Sequence, residues 1–450
     1  MINHKWCTVA ATLCGVLAVA ESGAADCAWV PGAWVLLTAF PSVGACTKAL
    51  DQREKEGRKA IYVREGGTNV KGLAEGSRGN VSPRRWTHED RRRTDPSMNR
   101  GTLPRAANSN EENRPMQKRW SLSVPMDGFA LTELTEVARE AEQWGYTDAW
   151  SFEVDGIDAF TPLAVIGLAT SMRLGTAIAN VYSRGPATLA STAAGLADLA
   201  PGRFVLGIGA GSQPIVESWN GGKFSRPATR VREMALFLRA ALASERVVFK
   251  GETFTVDGFR LTKAPALPVP IYVAALREGM LRVAGQVGDG VILNWLSPDD
   301  VPRSVGVVRA AARQAGRDPD AIEVTARLFV NLDAPGPESD LAVRRHIAGY
   351  LNVPVYRAFQ EWLGRTESLG PMWRAWGAGD RRGAVAAIPT QVMDDLMPRG
   401  SLADLKTRIQ LYLDRGIDTA FLSLMTTEAD PKKKRDLMLN ALRALAPGGR

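Results

Sequence analysis

Strand and helix patterns alternate along most of this 450-residue chain, and the alternation restricts the folds open to it. Short apolar runs typical of buried strands are each followed by apolar residues at spacings of three and four, the pattern of an amphipathic helix. The predicted strands are Trp120–Pro125, Thr147–Glu153, Arg173–Asn180, Arg203–Gly209, Val269–Ala274, Gly290–Leu296, Ile322–Leu332 and Thr419–Met425. Eight such units favour a closed (β/α)8 barrel, with a doubly wound open sheet as the alternative.

The first part of the chain differs from the rest. All four cysteines lie within its first 46 residues. Residues 5–20 mimic a secretory signal, and residues 51–114 contain few large apolar side chains, which is typical of disorder. We interpret 1–115 as a disordered extension or a segment outside the true product, and 116–450 as the barrel domain, with Met116 as a plausible start. This interpretation predicts a cytoplasmic protein, and genuine export is the alternative.

Composition excludes several classes of function. Of the formal net charge of +8, only +3 falls on residues 116–450, too little for a nucleic-acid-binding domain. The second apolar run of the first part, Ala28–Ala39, is too short to span a membrane. The domain has one histidine, His346, and no cysteine, which argues against a metal site. We therefore expect a small-molecule substrate, no nucleic-acid or membrane partner, and chemistry supplied by a cofactor. A homodimer is left open.

A glycine-rich turn follows the fourth predicted strand. The sequence Gly209-Ala210-Gly211-Ser212 ends a buried apolar run, and glycines let main-chain N–H groups approach an anion closely. The dinucleotide-binding fingerprint requires a helix directly after the turn, whereas Gln213-Pro214 intervenes here. The turn predicts a phosphate cradle outside the dinucleotide fold.

Several blocks of sequence carry a family resemblance. They are LGTAIANVYSRGP at 174–186, LADLAPGRFVLGIGAGS at 196–212, WNGGKFSRPATRVRE at 219–233 and VPIYVAALREGMLRVAGQVGDGVILNW at 269–295. Together they resemble the bacterial luciferase-like oxidoreductases, within which they are most similar to the branch that uses the deazaflavin coenzyme F420. The resemblance covers about 118–447. It implies a (β/α)8 barrel with coenzyme F420 as cofactor, and FMN is the alternative.

The resemblance also implies the positions of the cofactor. The phosphate-bearing tail is expected beside Gly209, Ala210, Gly211 and Ser212. The ring is expected over the carboxyl ends of the strands, supported by a bulge after strand three that contains a non-prolyl cis peptide. The matching positions of this bulge are Ala177, Ile178, Ala179 and Asn180. Three arginines further along are candidates for contacts with the anionic tail or, alternatively, solvated helix charges: Arg226, Arg230 and Arg232.

Glu153 is the candidate catalytic residue. It ends the second predicted strand, at the end of the barrel where such folds carry their active sites. Family members often have a histidine near this position, so the resemblance does not transfer that role to Glu153. A carboxylate beside an apolar ring can deliver a proton as a hydride moves. A structural ion pair with Arg184 is the alternative, and Asp158 is a second candidate.

The sequence thus predicts an oxidoreductase that transfers a hydride between coenzyme F420 and a small organic substrate. An FMN-dependent monooxygenase and a non-catalytic flavin-binding barrel are the alternatives. An insertion before the last strand carries Trp362, Trp373 and Trp376, which either line the substrate pocket or seal the insertion onto the barrel.

Overall fold

The computed structural model describes residues 26–30, 33–37 and 118–447. The signal-like segment at 5–20 and the tract at 51–114 lie outside these residues. Strands Asp26–Val30 and Ala33–Leu37 pair antiparallel and belong to a separate unit of the chain from the barrel. No helix in the described ranges combines the length and apolarity needed to cross a membrane.

Eight parallel strands form the centre of the second unit. They are β1 Arg119–Val124, β2 Asp148–Ser151, β3 Arg173–Thr176, β4 Phe204–Gly209, β5 Ile271–Ala274, β6 Gly290–Asn294, β7 Glu323–Asn331 and β8 Thr419–Met425.

Each strand pairs with its neighbour in the chain, and the last pairs with the first, where Leu422 on β8 lies opposite Leu122 on β1. The pairing of β4 with β5, with Ile208 opposite Val273, leaves no gap in the middle of the order. The sheet is therefore closed, which confirms the predicted barrel and excludes the open sheet.

Helices cover the outside of the barrel and build the insertion. They are α1 Leu134–Gln143, α2 Thr161–Ala169, α3 Pro186–Leu199, α4 Pro227–Leu242, α5 Glu278–Val287, α6 Val301–Gln314, α7 Pro337–Leu351, α8 Pro354–Trp362, α9 Thr366–Gly377, α10 Arg381–Ala386, α11 Thr390–Leu396, α12 Leu402–Asp414 and α13 Pro431–Leu445. Helices α7 to α11 form the insertion between β7 and α12. A π-helical turn, Pro214–Trp219, and a 3-10 turn, Pro298–Asp300, precede α4 and α6.

The start of α2 shows how a local sequence pattern can mislead. Thr161 precedes Pro162, and this pattern predicts that Thr161 supplies the capping oxygen, but Thr161 is the first residue inside the helix. The carboxylate of Asp158 accepts the main-chain N–H groups of Phe160 and Thr161 instead, at 2.8 and 3.1 Å. An aspartate two or three residues upstream reaches these free N–H groups through a local turn, so the helix needs no cap from Thr161.

Two strand predictions also differ from the structure. The third predicted strand, Arg173–Asn180, is split into β3 and a two-residue strand, Ala179–Asn180. An antiparallel hairpin after α4, Val247–Lys250 with Thr255–Phe259, was not predicted. Its two strands are short and pair only with each other, so they lack the continuous apolar run by which the barrel strands were recognised.

A network of charged side chains closes the amino-terminal end of the barrel. Arg173 on β3 contacts Asp148 on β2 at 2.7 Å and Glu323 on β7 at 2.6 Å. Thr419 on β8 and Tyr272 on β5 both donate to Glu323, at 2.5 and 2.6 Å. Burial alone would raise the pKa of Glu323, but these hydrogen bonds and the charge of Arg173 outweigh it and lower that pKa to about 2. The network therefore joins strands that are not neighbours.

We predict that Glu323→Gln lowers the free energy of unfolding by about 3–5 kcal/mol at neutral pH, because it leaves the buried Arg173 with one counter-charge fewer. The folded pKa of Glu323 lies below its ordinary value of 4.5, so its stabilisation is complete above that pH and is lost as the pH falls towards 2. The variant should lose this part of the acid dependence. Urea unfolding across that pH range measures both effects.

Glu278→Gln is the matched control, since Glu278 forms an exposed pair with Arg282 on α5. It should change the stability by less than about 1 kcal/mol. Equal effects of the two variants would show that the barrel does not depend on the Glu323 contacts.

Candidate active site

The chain forms a bulge after β3, at the carboxyl-terminal end of the barrel, where Ala177 and Ile178 pack against the aromatic cluster that contains Trp150. The peptide bond between Ala177 and Ile178 is cis, which confirms the expected non-prolyl cis peptide. Ala179 and Asn180 then rejoin the sheet opposite Ile208 and Gly209 at the end of β4. Ala177 and Ile178 are only partly buried, so the bulge presents a surface at the mouth of the barrel.

The glycine turn after β4 packs directly against this bulge. A Cβ atom on Gly209 would lie 2.9 Å from Cγ1 of Ile178, and one on Gly211 would lie 2.3 Å from Nδ2 of Asn180. Gly211 also has a positive φ of 65°, which side-chain-bearing residues rarely adopt. Both glycines are therefore required for the close approach of the turn to the bulge.

Asn180 is a buried donor aimed at this turn. Its Oδ1 accepts the main-chain N–H groups of Tyr182 and Ser183 at 2.8 and 3.4 Å, which fixes the orientation of the amide. Its Nδ2 has no partner among the described residues. A buried N–H group without an acceptor is costly, so the site is suited to a ligand oxygen.

The main-chain N–H groups of Ala210, Gly211 and Ser212 likewise have no acceptor within the described residues. Gly211 is exposed and its two neighbours are partly buried, so a ligand can reach all three. Several N–H groups on a short turn form a concave site for an anion. The geometry fits the phosphate-bearing cofactor tail that the sequence predicts here.

Glu153 lies two residues beyond β2 and forms an ion pair with Arg184. Its Oε1 accepts Nε and Nη2 of Arg184 at 3.0 and 2.5 Å. Its Oε2 makes longer contacts, at 3.3 Å to Nε of Arg184 and 3.3 Å to the main-chain N–H of Asn180. The ion pair that the sequence left as an alternative is thus present. It joins the end of β2 to the segment before α3, and the bond from Asn180 joins the same carboxylate to the bulge.

Asp158, the second candidate acid, caps α2 and lies 3.7 Å from Nη2 of Arg184. Burial raises the pKa of Asp158, but hydrogen bonds from Thr161 and the main chain of Phe160 outweigh it, and the pKa lies below its ordinary value. Asp158 is therefore ionised at neutral pH and is a poor source of protons.

The three candidate arginines for the tail occupy different surroundings. Arg230 donates to the main-chain oxygen of Val181 at 3.1 Å, next to Asn180, and its guanidinium lies 4.6 Å from the ring centre of Phe254. Arg226 forms an exposed ion pair with Glu252, which lies between the two strands of the hairpin after α4. Arg232 is exposed on α4. Of the three, only Arg230 contacts the chain that continues from the bulge.

One of the three tryptophans of the insertion is shown to seal it. Trp373 is buried and donates to the main-chain oxygen of Leu351 at 2.8 Å, so it seals the insertion. Trp362 stacks on Phe359 within α8. Trp376 on α9 lines an open groove together with residues of α7 and α10.

The sequence prediction missed Arg327 on β7, at the same end of the barrel. Its guanidinium lies 4.1 Å from the ring centre of Phe152, and its Nη2 donates to Ser423 on β8 at 3.0 Å. A basic residue between Ala326 and the apolar run Leu328-Phe329-Val330, inside a predicted buried strand, was a signal that could have identified it. Within the described ranges, no group of three or more histidine, cysteine or acidic side chains is placed to hold a metal ion.

The sequence is similar to that of known proteins. The family model for luciferase-like monooxygenases matches residues 105–419. A 5,10-methylenetetrahydromethanopterin reductase from Methanolobus tindarius is 30% identical over 301 residues, which cover 65% of this chain and 90% of that protein. An F420-dependent hydroxymycolic acid dehydrogenase from Mycobacterium tuberculosis is 32% identical over 216 residues, which cover 45% of this chain and 59% of that protein.

Among solved structures, the coenzyme F420-dependent tetrahydromethanopterin reductase from Methanopyrus kandleri superposes with a TM-score of 0.59. It is 22% identical, and the match covers 72% of this chain and 97% of that one. At this identity the likeness concerns the fold.

We predict that Gly211→Ala weakens the binding of a phosphate-bearing cofactor at least tenfold, about 1.4 kcal/mol. The new methyl group would displace Asn180 from the turn and disturb the N–H groups beside it. Titration of the protein into coenzyme F420 or FMN, followed by cofactor fluorescence, measures the change.

Gly316→Ala is the matched control. Gly316 has a similar φ of 70° but open space around its Cα, and it follows α6. Both variants should lose about 1–2 kcal/mol of stability from the left-handed backbone. Only Gly211→Ala should bind the cofactor more weakly than the wild type. Equal cofactor affinities in the two variants would contradict the prediction.

Proposed function

Because the chain belongs to the luciferase-like monooxygenase family and is an oxidoreductase of that family, we propose that it transfers a hydride between coenzyme F420 and a small organic substrate. The observation that carries the proposal is the contact between the bulge at Ala177–Ile178 and the glycine turn at Gly209–Ser212. It provides an apolar support beside a cluster of free N–H groups. The names of the two relatives, a reductase and an F420-dependent dehydrogenase, support hydride chemistry and this cofactor.

Named residues fit the two parts of the cofactor. Ala177, Ile178 and Ala179 would support the ring. The N–H groups of Ala210, Gly211 and Ser212, together with Nδ2 of Asn180, would hold the phosphate-bearing tail beside Gly209. When bound, coenzyme F420 supplies the site that gives or accepts the hydride.

Glu153 handles the proton that accompanies the hydride in this proposal. Its Oε1 is held by the shorter contacts with Arg184, so Oε2 is the freer oxygen and the one that would carry the proton. Arg184 orients the carboxylate, and the N–H of Asn180 links it to the bulge. Oxidation of an alcohol-type substrate would then release its hydroxyl proton to Oε2 and its hydride to the cofactor, and reduction would reverse both transfers.

We further propose that residues 116–450 form the catalytic unit. All eight barrel strands and every residue assigned to the site lie between Arg119 and Met425. The resemblance in sequence covers the same part of the chain.

The first experiment tests the cofactor. Purified full-length protein should bind coenzyme F420 at least tenfold more tightly than FMN, as measured by quenching of the fluorescence of each cofactor. Gly211→Ala should weaken the binding of coenzyme F420. Tighter binding of FMN would replace the proposal with an FMN-dependent monooxygenase. Binding without turnover of any alcohol, aldehyde or ketone in a broad panel would favour a non-catalytic barrel.

We predict that Glu153→Gln lowers turnover by about 10²- to 10⁴-fold, the usual contribution of general acid–base catalysis. Glutamine keeps the size of the side chain and can still accept a bond from Arg184, so the affinity for coenzyme F420 should stay near that of the wild type. Single-turnover reduction or oxidation of the bound coenzyme, together with its fluorescence titration, separates the two quantities.

Asp158→Asn is the matched control, since Asp158 also lies near Arg184 but caps a helix. Its turnover should remain within about threefold of the wild type, because the group it removes takes no part in proton transfer. A Glu153→Gln variant that loses cofactor affinity together with turnover would make Glu153 a scaffold of the binding site.

A further inference from the structure

The Arg327 guanidinium lies inside the barrel mouth without a counter-charge. Within the described residues, no carboxylate comes within ion-pair distance of it. Among the residues that the structure describes, its one polar contact is the bond from Nη2 to the hydroxyl of Ser423, and its Nε has no partner. Rings of Phe152 and Phe329 pack on it, with centres 4.1 and 4.7 Å away.

The burial of this charge is unfavourable. Burial lowers the pKa of Arg327, and Tyr350 and Tyr356 offset the shift only in part. Taking a guanidinium out of water costs several kcal/mol unless an anion and further hydrogen bonds compensate it. An arginine in such a position is therefore short of one anionic partner.

Two rings beside Phe329 each carry a polar atom that has no hydrogen-bond partner among the described residues. The ring of Trp295 lies 4.6 Å from that of Phe329, and the ring of His346 lies 5.1 Å from it. Among the described residues, Nε1 of Trp295 and Nε2 of His346 have no hydrogen-bond partner. Burial and then the charge of Arg327 lower the pKa of His346 to about 4, so this ring is neutral at physiological pH. The cluster contributes the indole N–H donor of Trp295 and a neutral imidazole, and no negative charge.

Arg327 lies across the barrel from the bulge. In a closed barrel of eight strands in sequential order, β7 is four strands from β3 in either direction. A ring supported by Ala177 and Ile178 would therefore have its open face towards β7. The register places Asn294 of β6 and Phe421 of β8 beside Arg327, and Oδ1 of Asn294 also lacks a partner in the described part of the chain.

A cavity of about 140 Å³ on this side of the barrel is separate from the guanidinium. Phe152 and Ser423, the two neighbours of Arg327, contribute to its wall, but Arg327 does not, and the remaining wall comes from β1, β8 and α13. The carboxylate of Asp127 also lines it and would repel an anion. The ligand of Arg327 is therefore expected on the barrel side of the guanidinium.

Resting on the proposed function, we propose that Arg327 binds a carboxylate of the substrate, and that the substrate is a small organic acid. One bond of the guanidinium goes to Ser423, and its other N–H groups can pair with the two oxygens of a carboxylate. The indole N–H of Trp295 belongs to the adjacent aromatic cluster. The acid group gives affinity and orientation, and the reacting carbon lies towards the bulge.

Benzoate and benzamide are suitable probes, because they share size and ring and differ in charge. Full-length protein, with and without coenzyme F420, is titrated with each probe, and tryptophan fluorescence and the melting temperature are recorded. The wild type should bind benzoate at least tenfold more tightly than benzamide, about 1.4 kcal/mol. Arg327→Gln should remove this preference and leave the affinity for coenzyme F420 unchanged.

Arg327→Met keeps an unbranched apolar side chain at this position and removes the unpaired charge. Its melting temperature without ligand should equal or exceed that of the wild type, whereas loss of a purely structural arginine would lower it. Arg313→Gln, at an exposed position on α6, is the matched control for net charge and should keep the preference for benzoate.

Equal binding of the two probes, no binding of benzoate at millimolar concentration, or an unchanged preference in Arg327→Gln would each overturn the carboxylate site. Because probe binding is measured without coenzyme as well, these results are independent of the cofactor. Failure to bind coenzyme F420 with an intact preference for benzoate would instead refute the proposed function alone.

Discussion

The contacts of Arg173 hold the barrel closed at its amino-terminal end. One guanidinium on β3 reaches Asp148 on β2 and, across the interior, Glu323 on β7. Main-chain hydrogen bonds link only adjacent strands, so they fix the order of the strands but not the shape of the barrel cross-section. The Arg173 network fixes distances across that cross-section. Tyr272 on β5 extends it, so strands from all sides of the floor are tied to Glu323.

An aromatic layer separates this floor from the mouth. Trp150 is fully buried, with the rings of Phe421 and Tyr272 at 5.7 and 5.8 Å. Space for these rings depends on inward-facing glycines, since a Cβ atom on Gly175 would lie 2.4 Å from Trp150 and one on Gly290 would lie 2.7 Å from Tyr272. The layer separates the ion pairs of Arg173 from solvent that enters at the mouth. The electrostatic attraction within these pairs is stronger as a result, because the local dielectric is low.

Features that depend on local sequence were predictable, and those that depend on distant contacts were not. The glycine turn and the bulge at Ala177–Ile178 lie in contiguous motifs, so spacing and resemblance were sufficient to place them. The role of Asp158 as a helix cap was missed because Thr161 fits the same local pattern. Arg327 was missed for a different reason: its meaning depends on the absence of a carboxylate near it in three dimensions, which no pattern along one strand reveals.

The two ends of the barrel differ in the partners that they provide for a buried arginine. At the floor, Arg173 has two carboxylates and a threonine hydroxyl around it, and its pKa is raised because those contacts outweigh burial. At the mouth, the pKa of Arg327 is lowered because no such group in the described residues balances its burial. Because the fold pairs a buried guanidinium with carboxylates at one end, the same pairing would be possible at the other end. The unpaired charge at the mouth is therefore consistent with a site completed by its ligand, where stability is given up for binding.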